Sequence, residues 1–305
     1  MIRTQHLTKR FDAFTAVDSL TLDIQQGELL ALLGPNGAGK TTTVRMLSSI
    51  LKPTEGSAEV AGLDVVKDAD QVRRKVGMLT EQPGLYSRST GLEYLIFFGR
   101  LYGMSDADIK ARGLALFDRF AMPNTAQRRL GEYSKGMRQK VSIIRAMLHD
   151  PEVLLLDEPT SAMDPHSAKI VRDSIIELRE DRRTIMVCTH NLAEAEMLAD
   201  RIAIISYGQL VSLGATNDLK REIHSHHRFE VTIDKSLNGQ IEEIEEIAQI
   251  EFMDDNVIRF RTDDPYITNP ALVRQLTNLG IGVVSLRELS VSLEDVYLNV
   301  IRDDE

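Results

Sequence analysis

The sequence predicts an α/β protein, and three observations carry that prediction. Short, fully apolar runs alternate with amphipathic helical patterns over the first 210 or so residues. One of these runs, "LLALL", passes through a glycine-rich turn directly into a helical pattern. Between residues 88 and 150 the alternation stops and helix follows helix.

In order, "ELLALLG" is followed by "KTTTVRMLSSIL", "PEVLLLDEP" by "HSAKIVRDSIIELRE" and "RTIMVCTH" by "LAEAEMLAD", with "RIAIIS" closing the series. Apolar strands without alternation, each leading into an amphipathic helix, indicate a parallel sheet covered on both faces. The intervening "LEYLIFFGRLYG", "DADIKARGLALFDRF" and "KGMRQKVSIIRAML" contain no strand-like run and read as a helical subdomain, about residues 88–150, inserted in the sheet domain of residues 1–220.

Residues 221–228, within "LKREIHSHHR", read as a linker. His224, His226 and His227 lie there in a polar connector without acids at ligand spacing, which argues against a metal site. Beyond it, residues 229–305 run in the order strand, helix, hairpin, helix, strand, which fits a small α+β, ferredoxin-like split-βαβ domain with a final helix at "SLEDVYLNVI". The helix of this series at 241–250 rests on isoleucines spaced by three.

The chain has 305 residues, 43% of them hydrophobic, enough for one large or two smaller cores and too apolar for a disordered protein. The formal charge of −10 is localised: residues 1–227 carry 29 basic and 29 acidic side chains, residues 228–305 carry 7 and 17. An acidic end of that kind repels polyphosphate backbones, so no nucleic-acid partner is expected. The single cysteine, Cys188, excludes an intramolecular disulfide and favours a reducing compartment. The N-terminal "MIRTQHLTKRF" lacks an apolar signal core, and no run of about 18 apolar residues occurs, so the chain is read as soluble.

Gly34, Pro35, Asn36, Gly37, Ala38, Gly39, Lys40 and Thr41, "GPNGAGKT", come directly after an apolar strand and open a helix. Glycines let backbone N–H groups close around an anion, and the helix N-terminus adds positive potential. Lys40 is placed to reach terminal phosphates and the Thr41 hydroxyl to hold Mg²⁺, with Thr42 near the inner phosphates. "VLLLDEP" ends a buried strand with adjacent carboxylates, Asp157 and Glu158; successive strand residues point to opposite sides, so the two carboxylates have separate tasks. Asp157 suits orientation of Mg²⁺ through its water shell, and Glu158 suits polarisation of an attacking water as general base. His190 ends the next strand, at the edge where ligands bind parallel sheets, and serves either to contact a γ-phosphate or to fix the attacking water.

A second anion notch occurs in "EYSKGM". Ser134 caps a helix beginning near Lys135, and Gly136 leaves backbone amides bare. The helical subdomain holds this notch away from the nucleotide of its own chain, so a second copy related by a two-fold axis is needed to use it.

These residues, taken together and in order, resemble the ATP-binding subunits of ABC transporters over about residues 1–220. "GPNGAGKTT" corresponds to Walker A, "YSKGM" to the signature, "LLLDEP" to Walker B, "SAMD" to the D-loop and "TH" to the switch histidine. The resemblance implies a P-loop NTPase fold, ATP and Mg²⁺ as ligands, hydrolysis of ATP, and an ATP-dependent head-to-tail homodimer. It also implies that Phe11 stacks on adenine with Val17 packed nearby. Where the family has its Q-loop glutamine this chain has Glu81, with Gln82 next to it, so either Glu81 takes over magnesium and water contacts or the register shifts. Lys135 and Met137 also depart from the signature, whereas Ser134 and Gly136 remain.

The chain is most similar to the bacterial ABC-2 export branch, whose ATPases carry "YSKGM"-type signatures and an added C-terminal domain with a "SLEDVYL"-like end. That branch uses a separate transmembrane permease, which implies a location at the cytoplasmic face of the membrane. The stretch "RSTGLEYLIFFGRLYG" is the expected contact surface, with Phe97 and Phe98 read either as contact or as core. Two other classes stand against this reading: a soluble ATPase acting on nucleic acid or ribosomes, for which a second motif set, a long coiled coil or a basic arm is absent, and a regulatory binder, against which the intact Lys40, Asp157, Glu158 and His190 argue.

Overall fold

The computed structural model describes residues 1–80, 84–161, 163–223, 227–237, 242–289, 293, 294 and 297. It divides into two compact units, Met1–Thr216 and Asn217–Glu305. Glu81, Gln82, His224, His226 and most of the "SLEDVYL" segment lie outside the described residues.

The first unit contains, in chain order, β1 (Ile2–Phe11), β2 (Phe14–Ile24), β3 (Leu29–Leu33), α1 (Lys40–Leu47), β4 (Glu55–Val60), β5 (Leu63–Asp64), α2 (Ala69–Lys75), β6 (Val76–Leu79), α3 (Gly91–Leu101), α4 (Asp106–Arg119), α5 (Lys135–Met147), β7 (Val153–Asp157), α6 (Pro165–Glu180), β8 (Thr184–Thr189), α7 (Leu192–Leu198), β9 (Arg201–Ser206) and β10 (Gln209–Gly214). Six strands form the central sheet in the order β10-β9-β3-β8-β7-β6. β3 lies parallel to β8 and β9, and β7 parallel to β6 and β8; only β10 runs antiparallel, against β9.

Every residue of β3, β7 and β8 is buried. The reason lies in two cores, one on each face. Leu30, Leu32, Leu155, Met186 and Cys188 pack with Val44 and Leu47 of α1 and with Ile2, Leu20 and Leu22 of the first two strands. Leu29, Leu154, Leu156, Ile185 and Val187 pack on the other side with Leu95, Phe117, Ile144, Val171 and Leu198 from the helices. A strand covered on both sides has no solvent face on which to alternate, hence the unbroken apolar runs.

One of the two covers is a sheet. β2, β1, β4 and β5 form an antiparallel sheet in that order. Its strands are interrupted by register shifts, between Thr4 and Leu7 among others, with His6 at φ 47° and Ser19 at φ 53°. Such bulges break the period of two by which a strand is recognised in sequence.

The helix starts obey local chemistry. Thr90 and Glu93 form a reciprocal capping box on α3. Ser134 caps α5 by accepting from Met137 N at 3.2 Å. Asp164 caps α6, which has Pro165 in its first turn.

In the second unit α8 (Thr216–Ile223) precedes β11 (His227–Ile233), α9 (Glu242–Glu245), β12 (Gln249–Asp254), β13 (Val257–Thr262), α10 (Pro265–Asn278) and β14 (Val283–Glu288). The strands are antiparallel throughout, in the order β12-β13-β11-β14, a split-βαβ arrangement. Val231, Ile258, Phe260, Leu272 and Leu276 form its core. The helix expected over 241–250 spans only Glu242–Glu245, because the chain turns at Ile247 and Ala248 to enter β12. His227 belongs to β11, where its Nδ1 lies 2.7 Å from Glu288 Oε1.

Candidate active site

The parallel strands β3, β7 and β8 end along one edge of the central sheet, and the segments immediately beyond them build the site. After β3 the chain turns through residues 34–39 into α1. Gly34 must be a glycine because a Cβ there would fall 2.3 Å from the Ile205 carbonyl oxygen. Gly39 has φ 102°, and a Cβ on it would lie 2.4 Å from the carbonyl oxygen of Ala16. No side chain caps α1 at Gly39, so no side chain competes for the N–H groups of its first turn.

Lys40 is buried, and its Nζ donates to the carbonyls of Gly34 at 2.6 Å and Pro35 at 3.0 Å. The ammonium thus crosses the mouth of the loop it terminates. Thr41 Oγ1 donates to Asp157 Oδ2 at 2.7 Å, which joins the start of α1 to the end of β7. Asp157 itself is only 1% exposed. A hydroxyl and a carboxylate side by side form a hard oxygen pair of the type that Mg²⁺ takes from a protein, the remaining positions going to water and phosphate. The residues therefore fit that ion.

Glu158 comes directly after β7 in a left-handed backbone conformation, φ 52°, which costs about 1 kcal/mol or more for a residue with a side chain. Three bonds hold it there: Glu158 N donates to Cys188 O at 2.9 Å, and Glu158 O accepts from Ser161 N at 3.2 Å and from Gln139 Nε2 of α5 at 3.1 Å. The side chain is 12% exposed and its Oε1 lies 2.7 Å from His190 Nδ1. His190, just beyond β8, is 57% exposed, so the pair faces open space. Beneath it, burial pushes the Cys188 thiol well above its ordinary range, and this sulfur stays protonated and inert.

A cleft of about 600 Å³ collects these groups, lined by residues 36–42 with Asp157, Glu158 and His190. Phe14, Ala16 and Ser161 also line it and are not expected from the sequence. The signal for Phe14 is the aromatic pair in "RFDAF", where Phe11 and Phe14 face each other across the end of β1 and β2. Phe11 is not part of the lining; its ring is half-exposed, with the Lys9 ammonium 5.1 Å from its centre. Val17 is fully buried beneath the loop. Gly34 and Pro35 contribute carbonyls to Lys40 and do not line the cleft. Ser134 and Gly136 stand apart from it, at the start of α5.

The family profile of ABC transporters matches residues 17–161. The chain is 39% identical over 244 residues to the ABC transporter ATP-binding protein NatA of Bacillus subtilis (strain 168), covering 78% of this chain and 99% of that protein. It is 32% identical over 303 residues to the bacitracin transport ATP-binding protein BcrA of Bacillus licheniformis, covering 99% and 97%. Among solved structures it is similar to a dimeric, post-hydrolysis ATP-binding cassette bound to ADP and Pi, with a TM-score of 0.65 and 27% identity over 70% of this chain and 98% of that one. No helix among the described residues is long and apolar enough to cross a membrane. The chain belongs to the ABC transporter family, as an ATP-binding subunit that hydrolyses ATP.

Proposed function

We propose that two copies of this chain close head to tail on two ATP molecules and that the cycle of closure and hydrolysis drives export through a separate membrane-spanning subunit. The observation that carries this reading is the separation of two anion sites on one chain. The loop 34–41 opens on the cleft with its helix start bare, whereas the Ser134-capped start of α5 contributes nothing to that cleft. Head-to-tail pairing gives both a use. It puts Ser134 and Gly136 of one copy over the γ-phosphate in the cleft of the other.

Within the cleft, residues 36–42 hold the phosphates, with Lys40 moving from the Gly34 and Pro35 carbonyls to the terminal phosphates. The aromatic end of the β1–β2 pair, Phe11 with Phe14, offers a face to the base. Thr41 would hold Mg²⁺ and Asp157 would orient it through its water shell, and the ion would supply charge neutralisation on the phosphate oxygens. Glu158 takes the proton of a water whose oxygen attacks the γ-phosphorus as the bond to ADP breaks, and His190, hydrogen-bonded to Glu158, keeps the carboxylate and that water aligned. At the Q-loop position either Glu81 takes over magnesium and water contacts or the register shifts to Gln82.

The name of the bacitracin relative, a transport ATP-binding protein matched along nearly its whole length, supports the exporter reading and includes the acidic C-terminal unit in it. α3 offers the contact surface. Phe97 is half-exposed beside Leu101 and meets Tyr86 edge to face at 5.9 Å, while Phe98 packs inward under the Arg145 guanidinium, 5.0 Å from its ring. The test mixes a Ser134→Arg chain with a Lys40→Ala chain, each defective alone. Mixed dimers hold one intact composite site, so turnover should recover to about a quarter of the parent value when the chains assort at random. Recovery no greater than either variant alone, with both chains folded, would overturn the composite site.

A further inference from the structure

Behind the pair formed by Glu158 and His190 stands a buried carboxylate with no assigned task. Glu194, on α7, is 3% exposed. Its Oε1 accepts from Thr160 Oγ1 at 2.5 Å and its Oε2 from Thr189 Oγ1 at 2.8 Å. Thr160 lies two residues beyond Glu158 and Thr189 immediately before His190. The carboxylate therefore bridges the two segments that present the two reacting side chains, and neither it nor either threonine lines the cleft. α7 is fixed in turn: Asn191 Oδ1 caps it by accepting from Glu194 N at 3.1 Å, and Asn191 N donates to Thr189 Oγ1 at 3.0 Å.

We propose that Glu194 is a positioning residue for ATP hydrolysis, locking the segment after β7 to the end of β8 so that Glu158 and His190 keep one separation. The inference rests on Glu158 and His190 acting at the γ-phosphate. Desolvating a carboxylate to bond two hydroxyls is a costly way to fill space, and an apolar side chain of similar size would pack at less cost. What a forked polar side chain can do here, and an apolar one cannot, is hold two hydroxyls from two different segments at once. The backbone ladder between β7 and β8 ends at the Glu158 N to Cys188 O bond, so beyond that point the Glu194 bridge is what continues the register. Misplacement of a reacting group by about 1 Å can cost a hundredfold in rate, so a tie at this place acts on turnover more than on binding.

The experiment compares purified full-length variants under saturating Mg-ATP, scaled to folded protein by circular dichroism. Glu194→Ala should lower kcat by about tenfold with KM for ATP within about twofold, the pattern of an interaction that matters only in the transition state. Glu194→Gln should recover turnover to within about threefold of the parent, because an amide can accept from one threonine and donate to the other. Should Glu194→Ala not fold, Thr160→Val with Thr189→Val removes the bridge while keeping side-chain shape, and the pair should lose about tenfold in kcat, less than the product of the single losses. A kcat within twofold of the parent in the bridge-less proteins, or a rise in KM that matches the fall in kcat, overturns the proposal. Glu158→Gln is run alongside. If it is inactive while the Glu194 variants are normal, only the bridge is refuted; if it turns over like the parent, the role given to Glu158 is refuted first.

Discussion

Replacing Glu158 by glutamine removes one proton-accepting group and almost nothing else. The bonds that hold the residue in its left-handed conformation, Glu158 N to Cys188 O and Ser161 N and Gln139 Nε2 to Glu158 O, involve no side-chain atom of position 158. An amide offers both an acceptor and a donor, so the contact with His190 Nδ1 survives whichever tautomer the imidazole takes. Cleft shape and the Lys40 and Thr41 contacts are untouched. The loss is then that of general-base catalysis, about 10²- to 10⁴-fold, or roughly 3 to 5 kcal/mol in the barrier. Phosphate release at saturating Mg-ATP should fall by that factor, while bound nucleotide measured by filter retention stays at the parent level. In the proposed dimer, ATP that is bound and not hydrolysed holds the two copies together, so light scattering should show dimers accumulating with ATP. Turnover within about threefold of the parent would refute the reasoning, since so small a loss is below what base catalysis contributes.

Two further outcomes come from local geometry. Burial between Tyr102, on which its ring stacks at 3.8 Å, and β6 pushes the His149 imidazole down to about 4, with Arg112 lowering it further and the Val76 carbonyl and Asp150 opposing. Above the ordinary histidine value of about 6.5 both folded and unfolded chains are neutral there and stability is complete; as pH falls from 6.5 through 4 the unfolded chain binds the proton first, and up to about 3 kcal/mol is lost. Thermal melts at pH 7 and 4.5 should show that loss in the parent and a flatter response in His149→Phe, which keeps the stacking. The second concerns the loop: Gly39→Ala, with φ 102° and Ala16 O in the way, should cost at least about 1–3 kcal/mol in urea unfolding and weaken ATP binding, whereas Gly37→Ala, at φ 85° with open space around it, should cost about 1–2 kcal/mol.

The parts of this molecule that are legible in sequence are those where one local rule decides. β3, β7 and β8 are buried on both faces and read as unbroken apolar runs, and the loop between β3 and α1 carries Gly34 and Gly39 where a Cβ would strike backbone and Gly37 at φ 85°. Ser134 caps α5 as its spacing suggests. The antiparallel sheet of β1, β2, β4 and β5 is not legible, because its bulges and positive-φ residues scramble the alternation that marks a half-buried strand. Phe11 is singled out by the family resemblance and Phe14 is not, because the pairing that sets the two opposite each other, with Phe14 on the cleft lining, belongs to the tertiary structure. Nothing local singles out Glu194: in "LAEAEMLAD" it looks like any acid on a helix face, and its meaning comes from two threonines 34 and 5 residues away.

The distribution of these bonds bears on how two sites in a dimer would act together. α5 begins at the Ser134 notch, which in the proposed assembly serves the partner's nucleotide, and further along the same helix Gln139 holds the carbonyl of this chain's own Glu158. An α-helix is stiff along its axis, so a shift of its N-terminus on engaging a phosphate is carried to Gln139 with little loss. Glu158 sits in a conformation that its side chain disfavours and that its bonds to Cys188, Ser161 and Gln139 maintain, so its placement depends in part on the position of the Gln139 donor. In the proposed dimer, nucleotide bound in the cleft of one copy would thereby bear on the geometry of the base in the other, and α5 would carry a coupling between hydrolysis at the two sites.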